Sequence, residues 1–364
     1  MMLKLEQKTN VILDRLQQAK KEGRKIYIYG YGEMGRIVER ALKDYNISIE
    51  AFCIDAAFYN ENIVGNIPVL SIEQVISSAN QAKRPIVVIA FRDYNAEKLE
   101  QLEQFVDIIN EDVFSFHTVN NRRDAWGNTF FEEYSQKLSE IYDMLSDDKS
   151  RETMVAFLYQ KMTGKLEYLE NIYQSNQYYD RDIINFEKIH TYVDCGAYDG
   201  DSFLAFVDNY KKNTGKVFEE KAYLLEPDER NFKKLVVNCS LYKNCSFCKA
   251  GAWSERKTLV FSSEGTFSGV TDYGDITIEA DTIDNLTMER ADFIKMDIEG
   301  SELEALRGAE NTIRKCHPIL AICVYHKCDD LWVIPEYIYK LDSTYCFYLR
   351  AYSKYSQELV LYAI

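Results

Sequence analysis

Acidic residues end three predicted β-strands in the second half of the chain, and their chemistry is the strongest functional signal in the sequence. The residues are Asp194, Glu226 and Asp297. The strands are predicted at 191–195, 222–226 and 292–297. Because the carboxyl ends of parallel strands meet at one edge of a sheet, we expect these carboxylates to face one pocket. A carboxylate there can hydrogen-bond a ribose diol or take a proton from a reacting hydroxyl group.

A glycine-containing turn follows the first of these strands. Gly196 and Gly200 frame it, and glycines in such a turn let the backbone approach a ligand closely. The turn is acidic and hydroxyl-rich, and it lacks the phosphate-binding pattern GxGxxG. These features suit a ligand with an amino-acid part and a sulfonium cation rather than a pyrophosphate, and S-adenosylmethionine fits that description. The alternative is that the two glycines serve only a tight turn.

Asp297 is the first candidate for a general base. An alcohol oxygen is a poor nucleophile until its proton leaves, and a carboxylate within hydrogen-bonding reach can take that proton. Lys295 lies two residues earlier on the same predicted strand and is an alternative orienting charge. Glu299 is expected to cap the next predicted helix, Ser301 to Ile313, or to contact the acceptor. The alternative for Asp297 is a structural or helix-capping carboxylate.

His326 is the second candidate base. It follows the predicted strand Pro318 to Tyr325, and a histidine pKa near neutrality suits proton transfer. Its alternative is an exposed loop histidine. The other histidines, His117, His190 and His317, lack metal-ligand companions and are interpreted as structural.

Two cysteines have the CxxC spacing that zinc and redox sites use. Cys245 and Cys248 lie on a predicted strand, where residues three apart face opposite sides. No second CxxC and no nearby histidine follows at ligand spacing. We therefore predict no metal site.

Several segments together resemble one known family. They are VDCGAYDGDS, LEPDERNFKKL, GAWSE, ADTIDNL, DFIKMDIEGSELEALRGAE and the terminal LVLYAI. In this order and spacing they look like the FkbM-type methyltransferases, and the resemblance covers residues 130–364. It implies a class I methyltransferase fold, an S-adenosylmethionine cofactor and methylation of a hydroxyl oxygen, often on a sugar or natural product.

The resemblance also implies roles for particular residues of the cofactor site. The loop around the methionine part would consist of Asp194, Gly196, Ala197 and Gly200. Glu226 would bind the ribose hydroxyls, and Asp228 and Asn231 would lie near the adenosine. The segment Ala250 to Trp253, with Ala252 at its centre, would pass by the adenine.

A separate fingerprint lies near the start of the chain. Gly30, Gly32 and Gly35 fit GxGxxG between a predicted strand and a predicted helix, and Asp55 ends the next strand, where it suits a ribose contact. The ligand expected here is a nucleotide or nucleotide-sugar. This supports a second hypothesis, in which the protein is a nucleotide- or nucleotide-sugar-binding enzyme or sensor. The alternative is that the glycines only permit close helix packing.

Composition and patterning set the remaining expectations. The 364 residues carry a net charge of −15, which argues against a nucleic-acid partner and leaves a small-molecule or glycan acceptor. Nine cysteines, many in apolar runs, and the absence of a long apolar stretch favour a cytoplasmic protein without a membrane span. Alternating strands and helices predict an α/β fold with two Rossmann-like domains, the second ending in an antiparallel hairpin. The predicted divisions are a nucleotide-binding domain at 1–118, a helical connector at 119–183 and a methyltransferase domain at 184–364.

Overall fold

The structure is a computed structural model. It describes residues 9–59, 63–64, 66–79, 82–92, 95–112, 130–262, 269–270 and 276–364. Within these ranges the chain has an α/β fold with sheets of six, four and seven strands. The division predicted after residue 118 lies outside the described residues and stays a prediction.

The first sheet occupies the N-terminal part of the chain. Its strands are β1 (Ile26–Tyr29), β2 (Ala51–Ile54), β3 (Ile63–Val64), β4 (Ile67–Ser71), β5 (Ile86–Ile89) and β6 (Asp107–Ile109). Its helices are α1 (Val11–Lys21), α2 (Glu33–Asp44), α3 (Ile72–Ser77) and α4 (Ala96–Leu102), with a short 3-10 helix at Ala56–Phe58. The strand order is β3-β4-β2-β1-β5-β6, and the pairing is parallel except between β3 and β4. Strands β1, β2 and β5 are buried along their whole length, as continuous apolar runs predict for central parallel strands.

A helical connector joins this sheet to the rest of the chain. Its helices are α5 (Phe130–Glu133), α6 (Ser135–Met144), α7 (Asp148–Thr163) and α8 (Glu167–Glu170), and a 3-10 helix follows at Phe186–Lys188. Asp147 caps α7 by accepting the Ser150 N–H at 2.8 Å. Arg350, from the last sheet, is buried and contacts the carboxylates of Asp147 at 2.6 Å and Asp180 at 3.0 Å. This buried network fixes the connector against the last sheet.

The last sheet is the scaffold of the predicted methyltransferase domain. Its strands are β7 (Thr191–Cys195), β8 (Lys221–Leu225), β9 (Cys245–Cys248), β14 (Phe293–Met296), β15 (Ile319–Cys323), β16 (Phe347–Ala351) and β17 (Leu359–Ala363). Its helices are α9 (Asp201–Thr214), α10 (Glu229–Asn238), α11 (Ile283–Thr287), α12 (Glu302–Arg307), α13 (Glu310–Cys316) and α14 (Asp330–Leu341). The order is β16-β17-β15-β14-β7-β8-β9, and only β17 pairs antiparallel, with β15 and β16. The predicted fold class and its terminal hairpin are confirmed.

A small sheet lies between β9 and β14 in sequence. It contains β10 (Gly251–Ala252), β11 (Lys257–Ser262), β12 (Gly269–Val270) and β13 (Ile276–Asp281), in the order β10-β13-β11-β12. None of these strands is predicted from the sequence pattern. β13 alternates between buried and more exposed positions, so it lacks the continuous apolar run of a central strand.

One predicted helix, Ser301 to Ile313, is wrong in its extent. The structure forms α12 and α13 instead, with a break at Gly308. A Cβ atom at Gly308 would lie 1.9 Å from the Trp253 carbonyl oxygen. The close approach of these two backbones therefore requires glycine at the break.

Crossing a bilayer takes about 20 apolar residues in one helix, and no helix of the described ranges meets that requirement.

Candidate active site

A cavity of about 930 Å³ lies at the carboxyl ends of β7, β8, β14 and β15. Its wall includes the turn after β7 and residues that follow β8 and β9. It also includes Met34 from α2, Arg92 after β5, Lys161 from the connector and the 356–358 segment before β17. The cavity wall therefore combines all three parts of the chain.

The turn after β7 depends on its glycines. Gly196 lines the cavity with φ +82°, and a Cβ atom there would lie 2.0 Å from the Asp297 carbonyl oxygen. Gly200 has φ +95°, and its Cβ atom would lie 2.5 Å from Cys239 Sγ. Ala197 is fully buried and donates its N–H to the Leu225 carbonyl at 2.9 Å. Gly196 thus lets the turn pack against the end of β14, and Gly200 lets it pack against the end of α10.

Asp194 lies beneath the cavity, where it is fully buried. Its Oδ2 accepts hydrogen bonds from Ser202 Oγ at 2.6 Å and Tyr192 OH at 3.1 Å, and its Oδ1 lies 3.0 Å from Lys295 Nζ. Lys295, in contrast to Asp194, lines the cavity. Its ammonium group donates a hydrogen bond to the Gly196 carbonyl oxygen at 2.7 Å. Burial alone would lower the pKa of Lys295, but the carboxylates of Asp194 and Asp297 raise it above its ordinary value. Lys295 is therefore a cation held against the turn.

Glu226 follows β8 and reaches the cavity. Its two carboxylate oxygens accept the backbone N–H groups of Tyr198 at 3.0 Å and Asp228 at 2.8 Å. Burial raises the pKa of Glu226 to about 7. Asp228 itself caps α10 by accepting the N–H groups of Arg230 and Asn231, and Asn231 lines the cavity. Glu226 is thus fixed in orientation, whereas the Asp228 carboxylate serves the helix.

The segment around β10 forms another part of the same wall. Ala250, Gly251, Ala252 and Trp253 all line the cavity. Trp253 Nε1 is buried and has no hydrogen-bond partner among the described residues. A buried donor without a partner is costly, so this wall offers a hydrogen bond to a ligand.

Asp297 follows β14 and lines the cavity. Tyr178 OH donates to its Oδ2 at 2.7 Å, and His326 Nε2 lies 3.4 Å from its Oδ1. Burial alone would raise the pKa of Asp297, but the charges of Lys295 and His326 lower it below its ordinary value. Asp297 is therefore an oriented carboxylate at neutral pH.

His326 is only 2% exposed, so its interpretation as an exposed loop histidine is wrong. Its Nδ1 lies 2.9 Å from Glu302 Oε1, and its Nε2 lies 3.6 Å from Glu299 Oε2. Burial alone would lower the pKa of His326, but the carboxylates of Glu302, Glu299 and Asp297 raise it well above 6.5. A histidine that carries a proton is a poor candidate for a base.

Two further carboxyl groups belong to the same cavity, those of Glu299 and Glu358. Burial raises the pKa of both Glu299 and Glu358 to about 7. Both line the cavity. Glu358 is a site residue that the sequence analysis does not predict. The antiparallel hairpin explains its position, because the register Cys323↔Val360 places the start of β17 beside the end of β15.

Other cavity residues come from parts of the chain without a local motif. Tyr178 follows the connector helices, and Arg92 follows β5 of the first sheet. The Arg92 guanidinium lies 4.3 Å from the centre of the Tyr355 ring and donates to Gln357 Oε1 at 2.7 Å. Of the histidines interpreted as structural from the sequence, His117 lies outside the described residues.

The GxGxxG turn of the first sheet has a packing role. Gly30 has φ +106°, and a Cβ atom at Gly35 would lie 2.1 Å from the Gly30 carbonyl oxygen. Gly32 is the N-cap of α2 and has open space where a Cβ atom would be. The Asp55 carboxylate accepts the Tyr29 hydroxyl at 2.7 Å and pairs with Lys98. Close packing explains Gly30 and Gly35, and binding of a nucleotide or nucleotide-sugar here stays a prediction.

Comparison with solved structures shows the fold over almost the whole chain. The crystal structure of methyltransferase FkbM from Methylobacillus flagellatus KT matches with a TM-score of 0.75 and 20% identity, covering 98% of this chain and 94% of that one. An rRNA methylase from Streptococcus thermophilus matches with a TM-score of 0.33 and 14% identity, over 49% of this chain and 89% of that one. Aeropyrum pernix fibrillarin with natively bound S-adenosyl-L-methionine matches with a TM-score of 0.31 and 10% identity, over 50% of this chain and 69% of that one. The last two superpose too loosely to support an argument about this chain.

Sequence comparison identifies the family of residues 194–341. No curated protein matches the chain significantly. The methyltransferase FkbM domain matches residues 194–341, the range that contains Asp194, Glu226, Asp297 and His326. The family predicted from the sequence motifs is thereby confirmed: residues 194–341 are a methyltransferase domain of the FkbM family.

Proposed function

We propose that the protein transfers a methyl group from S-adenosylmethionine to a hydroxyl oxygen of a saccharide or saccharide-linked metabolite. The observation that carries this proposal is one cavity lined by both Glu226 and Asp297, which follow the strands on either side of β7. The cavity volume of about 930 Å³ is near the upper end of ordinary ligand sites. That volume suits a cofactor and an acceptor together.

The end of the cavity near Glu226 fits the cofactor. We assign the Gly196 turn to the methionine part, Glu226 to the ribose hydroxyls and residues 250–253 to the adenine. Glu226 has carboxylate lone pairs beyond those that its two backbone N–H contacts use. Trp253 Nε1 is a buried donor available to the ligand. Asp194 acts on the Gly196 turn indirectly, through its ion pair with Lys295.

Asp297 is the proposed general base. S-adenosylmethionine, when bound, supplies an electrophilic methyl group on a sulfonium sulfur. The Asp297 carboxylate takes the proton of the acceptor hydroxyl as that oxygen becomes the nucleophile. Tyr178 orients the carboxylate by donating to Oδ2. Positioning of the hydroxyl group contributes much of the remaining rate enhancement.

The acceptor end of the cavity favours a hydroxyl-rich molecule. Its wall carries the amides of Asn176, Gln177 and Gln357 and the carboxylates of Glu299 and Glu358. Amides both donate and accept hydrogen bonds, and carboxylates accept them from hydroxyl groups. A polyhydroxylated acceptor can satisfy many of these groups at once, which supports a saccharide over an apolar acceptor.

A product-based screen tests this proposal. The full chain is incubated with methyl-labelled S-adenosylmethionine and a panel of neutral sugars, sugar phosphates and nucleotide-sugars, and products are identified by mass spectrometry and NMR. An O-methylated saccharide supports the proposal. Label transferred to RNA or to nitrogen or carboxylate groups, with none on sugar hydroxyls, contradicts the acceptor class.

A further inference from the structure

His326 lies in a buried cluster of acidic groups. Its ring is 2% exposed, with Glu302 Oε1 2.9 Å from Nδ1 on one side. On the other side, Nε2 lies 3.4 Å from Asp297 Oδ1 and 3.6 Å from Glu299 Oε2. The imidazole therefore lies between the carboxylate of Glu302, which is outside the cavity wall, and those of Asp297 and Glu299, which line it.

Glu302 is the fixed side of this bridge. It is fully buried in the first turn of α12. Its Oε1 also accepts the Ile298 backbone N–H at 3.0 Å. The same oxygen therefore accepts a hydrogen bond from the turn that follows Asp297 and lies at ion-pair distance from the ring that faces Asp297.

We propose that Glu302 is a positioning residue that keeps His326 as an imidazolium, so that His326 holds Asp297 in its carboxylate form and is not itself the base. This inference rests on the proposed role of Asp297. Both ring nitrogens of an imidazolium are N–H donors, and acidic groups lie at both nitrogens. A neutral ring would offer a lone pair to one of these carboxylates.

The charges around His326 come from several elements. The carboxyl groups are those of Asp297 and Glu299 after β14, Glu302 on α12, Asp330 on α14 and Glu358 before β17. The cations are Lys295 and Lys327. The neighbouring hydroxyl groups are those of Tyr178 and Tyr325. Burial raises the pKa of Asp330 to about 8, so this carboxyl holds a proton at neutral pH. Glu302 has the shortest contact with the ring, at 2.9 Å. Removing its charge should therefore weaken the proton affinity of His326 most.

Imidazole NMR of the full chain tests this inference without an acceptor. The chain has four histidines, and His326→Gln identifies the signals of His326. We expect His326 to be protonated at pH 7 in the wild type. In Glu302→Gln its proton affinity should fall at least tenfold, which is one pH unit. The matched control is Glu304→Gln on the same helix, whose carboxylate pairs with Arg307 and should leave His326 unchanged.

The inference is overturned if wild-type His326 is neutral at pH 7, or if Glu302→Gln titrates like the wild type. The wild-type measurement decides the protonation state even if Glu302→Gln does not fold. S-adenosylmethionine binding and methyl transfer are measured on the same samples. Failure of those activities with a protonated His326 rejects the proposed function alone, whereas a neutral His326 in an active enzyme rejects this inference alone.

Discussion

Lys295 Nζ lies 3.0 Å from Asp194 Oδ1, and both side chains are almost completely buried. The same ammonium donates to the Gly196 carbonyl at 2.7 Å. Asp194, the most conspicuous acidic residue of the predicted cofactor loop, therefore shapes that loop through a lysine on the neighbouring strand. The ion pair joins β7 to β14 at the point where the cavity begins.

Asp194→Asn should strongly destabilise the protein, because it leaves the Lys295 charge buried without its carboxylate. Breaking a buried pair in this way costs about 3–5 kcal/mol. Denaturant unfolding measures the change in the free energy of unfolding. The control is Glu255→Gln, which removes an exposed partner of Lys257 and should cost less than about 1 kcal/mol. Equal stability of Asp194→Asn and wild type would show that the pair has no such role.

Gly196→Ala should disrupt both the turn and the position of Asp297. The alanine would have φ +82° and a Cβ atom 2.0 Å from the Asp297 carbonyl oxygen. Gly215→Ala is the matched control, since it has φ +73° but open space around the added atom. The free energy of unfolding of the control should fall by about 1–2 kcal/mol because of backbone strain alone. That of Gly196→Ala should fall by more. Calorimetric titration should also show weaker S-adenosylmethionine binding in Gly196→Ala only. Similar losses of stability in both variants would mean that the structure around Asp297 accommodates the added Cβ atom without further cost.

Asp297→Asn should reduce methyl transfer about 100-fold or more, which is the typical contribution of a general base. The asparagine can still accept the Tyr178 hydrogen bond, so S-adenosylmethionine affinity should change little. Initial rates with the best acceptor from the screen and calorimetric titration measure the two quantities. If turnover survives in Asp297→Asn and is lost in His326→Gln, the base is His326 and our assignment is wrong.

Binding of S-adenosylmethionine should weaken as the pH falls below 7. Burial raises the pKa of Glu226 to about 7 in the free protein, and the charged form is the better acceptor for ribose hydroxyls. Protons therefore compete with the cofactor below this pKa, and affinity should fall about tenfold from pH 8 to pH 6. Glu226→Gln cannot titrate, so its residual affinity should lack this dependence. An equal pH dependence of binding in the wild type and in Glu226→Gln would show that another titratable group causes the dependence.

The main sheets were predictable because their strands have a simple physical signature. Central parallel strands such as β1 and β5 are continuous apolar runs bounded by turns, and the structure buries every position. The small sheet was missed because its strands are short or half-exposed. The break at Gly308 was missed because its cause, the Trp253 carbonyl, lies far away in sequence.

The candidate site was predictable where its residues follow strands. Glu226, Asp297 and Gly196 line the cavity because parallel strands bring their carboxyl ends together. Tyr178 and Arg92 enter the same cavity from other parts of the chain, and no local pattern marks them. The Glu302 contact with His326 depends on how α12 packs against the segment after β15, which only the tertiary structure determines.

Calorimetric titration of the full chain with S-adenosylmethionine and with its demethylated product tests the central claim most directly. The account predicts micromolar binding of both ligands by the wild type. Glu226→Gln should bind both at least about tenfold more weakly, because it loses a charged hydrogen-bond acceptor. Absence of binding at millimolar ligand, in a protein shown to be folded, would contradict the assignment of this cavity to S-adenosylmethionine.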